Sequence, residues 1–134
     1  MARNGSDDAT RSAAQVAAVE GLLAYAHKRA RWGGGSLKRV HQAIALSREL
    51  VAADPKEHAA LLARCLRAAA AILVKRGQPE EALPLCLEAV ELCRPGGNGP
   101  LFMSLVHLSK VYEALQRLGE AAATMTEATA VEPD

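Results

Sequence analysis

Aromatic side chains are almost missing from this chain: one tryptophan, one phenylalanine and two tyrosines stand among 134 residues. Strands favour aromatic and β-branched residues, so there is little here to build a sheet from. The 28 alanines instead favour close-packed helices. An excess of one charge is lacking as well. Sixteen Lys and Arg stand against fifteen Asp and Glu, a formal net charge of +1, so no overall field marks a partner in nucleic acid or a membrane, and neither is expected. Long hydrophobic runs are absent: the longest uncharged apolar stretch, Ala68 to Val74, is seven residues between Arg67 and Lys75, and a bilayer span needs about 20. Met1 to Asp8 is polar and shows no apolar signal segment. Three cysteines, an odd number with no CxxC, give no disulfide framework and fit a reducing compartment, so a cytoplasmic location is expected. Arginine outnumbers lysine eleven to five, which together with the alanine content fits a GC-rich bacterial genome.

What the chain does contain is an internal repeat. Gln42–Leu46, Glu81–Leu85 and Glu120–Thr124 align, and their alanines Ala43, Ala82 and Ala121 are 39 residues apart each time. Each segment runs on to a proline, at Pro55, Pro95 and Pro133. Before the second and third copies stands a Leu- and Ala-rich stretch that closes on glycine, Gly77 and Gly119. Glycine supplies the left-handed turn that ends one helix, and proline stops the next.

The pattern predicts an all-α chain of six helices, at 9–31, 36–53, 57–76, 79–93, 101–118 and 120–131. Residues 1–8 are expected to be disordered and 9–134 to form one domain of three hairpins, 9–53, 57–93 and 101–131. Leu62, Leu66, Ala69, Ala70 and Leu73 recur at spacings that put them on one helix face, as do Leu101, Leu105, Leu108, Val111, Tyr112 and Leu115. Pro79 followed by Glu80 and Glu81 reads as a helix first turn, where the missing N–H is harmless and the carboxylates suit the dipole.

From about Ser36 onward these residues resemble the tetratricopeptide repeat, most clearly from Leu61 to Pro95. Leu66, Ala69, Ala70 and Leu73 stand where that motif has its first-helix packing residues. Gly77, Ala82, Cys86 and Ala89 stand at its turn glycine, small alanine, aromatic and second alanine. The 39-residue spacing and the stretch Pro84–Leu92 look more like the extended variant of kinesin light chains and many bacterial repeat proteins. Departures are a third unit about three residues short after Gly119, and Leu66 or Leu108 where the motif usually has Trp or Tyr.

The resemblance implies a right-handed α-solenoid that binds a protein or peptide, an acidic one among the candidates, on a concave wall of first helices. On that analogy the groove residues are Arg29 from the first helix, with Tyr25 beside it, then Arg64, Arg67, Ala71 and Lys75 from the third. Val106, Ser109, Lys110 and Glu113 come from the fifth. The groove is then mildly basic, and arginine pairs with carboxylates in a two-point fork; the alternative is that Arg64, Arg67 and Lys75 merely solvate a helix face. The asparagine and lysine set with which some members clamp a terminal carboxylate is absent from the matching positions. Two other readings stay open: a regulatory or sensory module controlling a transcription factor or enzyme complex, and a small-molecule-binding or catalytic protein using His107, Ser104 and the cysteines.

Other candidate chemistry is sparse. His27 to Arg39 holds five basic residues, no acidic one and Trp32, which makes residues 1–50 net positive; the alternative is a solvated helix end. Gly33–Gly35 is followed by no Gly-Lys-Ser/Thr and is not a phosphate loop. Cys65, Cys86 and Cys93 match no common zinc spacing and are expected in the core, so neither metal nor cofactor is expected. Ser104 and His107, three apart on one helix, are able to touch, but no orienting acid or oxyanion site accompanies them, and no enzyme activity is expected. Small apolar residues of the last helix, Ala121, Ala122, Met125, Ala128 and Val131, either support self-association as a homodimer or fold back onto the fifth helix.

Overall fold

The computed structural model describes residues 5–29 and 35–133, and its elements there are six α-helices. They are α1 (Gly5–Arg29), α2 (Ser36–Ala53), α3 (Pro55–Lys75), α4 (Pro79–Cys93), α5 (Asn98–Ala114) and α6 (Leu118–Thr129). The all-α expectation holds for the described residues. None of these helices is long and apolar enough to cross a membrane.

Local chemistry sets the joints. Asp54 alone separates α2 from α3; its carboxylate accepts from the Glu57 N–H at 3.3 Å, and Pro55 follows in the first turn. This N-cap satisfies one of the donors that a helix start leaves open. Gly77 ends α3 at φ 76°, with the Gln78 N–H returning to the Leu73 carbonyl at 2.8 Å. Thirty-nine residues on, the same closure recurs: Arg117 N–H reaches the Tyr112 carbonyl at 2.9 Å, and Gln116 takes the left-handed position at φ 62°. The turn residue between α5 and α6 is therefore Gln116 rather than Gly119, which lies inside α6. Hence α5 stops at Ala114 instead of continuing to 118, and the repeat keeps its full spacing with no missing residues. At the other end α1 reaches back to Gly5, so part of the segment expected to be disordered is helical, with Asp7 and Asp8 in its first turn.

Short joints keep consecutive helices beside one another. Every extensive helix–helix contact is between neighbours in the chain, with one addition, α3 against α5. Two core clusters overlap along this line. One joins Val19, Leu23 and Ala26 of α1 to Val40, Ala43 and Leu50 of α2 and to Leu62 and Leu66 of α3. The other joins Ala70 and Leu73 to Cys86 and Val90 of α4, Leu105 and Leu108 of α5, and Ala128 of α6. Ala43, Ala82 and Ala121, the repeated alanines, are all buried, where a small side chain lets helices approach closely.

Side-chain bonds also join helices two apart. Arg64 of α3 pairs with Glu20 of α1, Arg48 of α2 with Glu88 of α4, and Arg94 of α4 with Glu127 of α6. Arg67 of α3 donates to Ser104 of α5. On α6, Ala121, Thr124 and Ala128 are buried while Ala122, Met125 and Leu118 face outward. The expected stripe thus splits, and its inner half folds back onto the domain.

Candidate functional site

Between α1 and α3 runs a cleft bridged at one point. Arg64 presents both terminal nitrogens to the Glu20 carboxylate, Nη2 to Oε2 at 2.7 Å and Nη1 to Oε1 at 3.2 Å. The hydrogen bonds hold the Glu20 carboxyl below its ordinary range and raise the arginine. Both side chains are 47% exposed, so the pair is worth only about 0.2–1 kcal/mol. Its consequence is electrostatic: Arg64, expected as a free groove cation, is already neutralised. Glu20 and Arg64 line the cleft on both sides of the bridge.

Arg67 lies on one side, in a part of about 360 Å³ with Val16, Leu61, His58 and Pro100. It is half-buried, and its Nη1 donates to Ser104 Oγ at 2.9 Å. No carboxylate among the described residues pairs with it. Burial pulls its pKa below the usual arginine value, the direction a charge takes when water is removed and no counter-charge replaces it. Arginine stays charged all the same. Ser104 is fully buried and also lies 3.6 Å from Cys93 Sγ. His107, one turn further along α5, is half-buried; burial lowers its pKa, with Arg67 and Lys110 adding to the effect. Exposed carboxylates near this part are Glu57 and the bridged Glu20.

The remaining expected site residues divide. Lys75 and Ala71 line the cleft beyond the bridge. Val106 is half-buried against the second core cluster, and Lys110 and Glu113 are exposed on α5. Ser109 does not face the groove: it is buried, and its hydroxyl donates to the Ala121 carbonyl of α6 at 3.0 Å. Tyr25 takes the Arg39 guanidinium over its ring at 5.3 Å, toward α2. The side chain of Arg29 lies outside the described part, as do residues Arg31 and Trp32 of the basic segment.

The catalytic alternative finds a different partner set, since Ser104 bonds Arg67 and Cys93 rather than His107. All three cysteines are buried; Cys65 bonds Ser47 at 3.4 Å, and burial pushes the Cys86 thiol up to about 12. Burial raises Cys65 as well, and thiols raised in this way are protonated and poor nucleophiles. Among the described residues no group of three or more His, Cys, Asp or Glu is placed to hold a metal ion. Sequence reasoning missed Glu20, Leu23 and Val40. The repeat spacing carries no signal for Glu20, because the shift from Glu20 to Arg64 is 44 residues, not 39. No family model, curated protein or solved structure matches this chain.

Proposed function

We propose that the chain is a tetratricopeptide-like right-handed α-solenoid of three hairpins, acting as a non-enzymatic adaptor that holds an acidic protein segment between α1, α3 and α5. The order of contacts, each helix on the next with side-chain bonds skipping one, supports stacked hairpins.

One observation carries the binding reading: Arg67 is a partly desolvated guanidinium with a serine hydroxyl for a partner, and it lines an open cleft. Removing water from a charge without pairing it costs stability, and a guest carboxylate recovers that cost by taking the free N–H groups. The test is a panel of Asp/Glu-rich peptides titrated onto the intact chain and its Arg67→Glu variant. The adaptor reading requires saturable binding that the variant loses and that Lys38→Glu, an exposed change on α2, retains. Equal binding by both variants refutes it.

A further inference from the structure

Beyond the Glu20–Arg64 bridge the cleft changes character, and recognition at Arg67 makes no use of it. Its floor is apolar and buried: Leu23 and Ala26 of α1, and Val40 of α2. The α3 wall is Ala68, Ala71 and Ile72, all half-buried. The chamber exists because α3 turns alanines toward α1, and the two helices are not among the extensively packed pairs. It measures about 470 Å³, within the range of roughly 300–1,000 Å³ found for small-molecule sites.

Polar groups are confined to its rim. The ion pair closes one end, so Glu20, the one carboxylate among the described lining residues, is already matched by Arg64. His27 and Lys75 are exposed at the rim, Lys75 in the last turn of α3, and no described residue forms an ion pair with Lys75. An apolar interior beneath an unmatched cation defines the complement it fits, an apolar tail with a negative head.

We infer that this chamber is a binding site for a small amphipathic monoanion, an unbranched aliphatic carboxylate. Its chain lies against Leu23, Val40 and Ile72, and its carboxylate is directed to Lys75. The inference goes beyond the peptide reading and does not depend on it.

The experiment is calorimetric titration of the intact chain with butanoate, hexanoate, octanoate and decanoate, each below its micellar concentration. Affinity is expected to rise about fourfold per added methylene, the equivalent of about 0.8 kcal/mol, until the chamber is full. Octylammonium, with the same tail and the opposite charge, is expected to bind at least tenfold more weakly than octanoate. Ala71→Leu, which fills the chamber from a half-exposed position, lowers octanoate affinity at least tenfold with the helical circular dichroism unchanged. Lys75→Glu, on the exposed rim, removes the preference for octanoate over octylammonium without touching the core, and decides the matter if Ala71→Leu disturbs the fold. Arg67→Gln leaves octanoate binding as it was, which separates this site from the peptide site. Affinity independent of chain length, equal binding of octylammonium, or undiminished octanoate binding by the folded Ala71→Leu variant overturns the assignment.

Discussion

Arg67 spans from α3 to α5 to donate to Ser104 Oγ at 2.9 Å, and that buried hydroxyl lies 3.6 Å from Cys93 Sγ of α4. A guanidinium has five N–H donors; one here is spent on a neutral oxygen. A group so placed costs the fold a little stability, and under the proposed function it is the group that a guest anion pairs with.

Arg67→Met therefore leaves the thermal midpoint unchanged or raises it, because it removes a desolvated charge and keeps the apolar stem. The same change weakens acidic-peptide binding by about 1.5–3 kcal/mol, the usual worth of a hydrogen bond to a charged group. Calorimetry on both counts checks it; a destabilised variant with undiminished binding means that Arg67 is a structural strut.

Glu20→Gln releases Arg64 from its partner and adds it to Arg67 and Lys75 as an unpaired cation of the cleft. Stability falls by no more than about 1 kcal/mol, as for an exposed pair. Affinity for acidic peptides rises severalfold at low salt, and the gain shrinks as salt is added. Titrations at two ionic strengths measure this directly.

Gln116 holds φ 62° after α5 where Gly77, after α3, holds φ 76°. Left-handed backbone costs a residue with a side chain about 1–2 kcal/mol. Gln116→Gly is expected to stabilise by about 0.5–1 kcal/mol, and Gly77→Ala to destabilise by about 1 kcal/mol or more. A Cβ at Gly77 meets nothing within 4 Å, so the penalty is conformational. Urea unfolding of both variants checks the opposite signs.

These turns show what the sequence makes legible. The stripe Leu62, Leu66, Ala69, Ala70 and Leu73 could be read because helical period and burial select the same positions, and all five are buried. The joint after α5 could not be read from glycine, since Gln116 adopts the glycine conformation and Gly119 is merely helical. Ser109 reads as a groove residue because it stands off the apolar stripe of α5, whereas the small Ala121 lets α6 come close enough for its carbonyl to accept the hydroxyl. Arg64 reads as free for a similar reason: nothing local announces a partner 44 residues earlier.

The lowered pKa of His107 sets a pH dependence. Its proton is bound more weakly in the folded chain than in the unfolded one, so its contribution to stability is complete above the unfolded value of about 6.5. That contribution is lost as pH falls through 6.5 toward the depressed folded value. His107→Gln should flatten the stability profile in that window. An anionic guest at Arg67 should raise the His107 titration midpoint, followed by the imidazole proton shifts; a midpoint unmoved by the guest places the guest elsewhere.

The most direct measurement is the ¹H–¹⁵N signal of the Arg67 Nε–H during titration with an Asp/Glu-rich peptide. The account predicts a saturable downfield shift there, larger than at Arg64, whose guanidinium Glu20 already holds. Equal small shifts at every arginine, or none at Arg67 while the peptide binds, would contradict it.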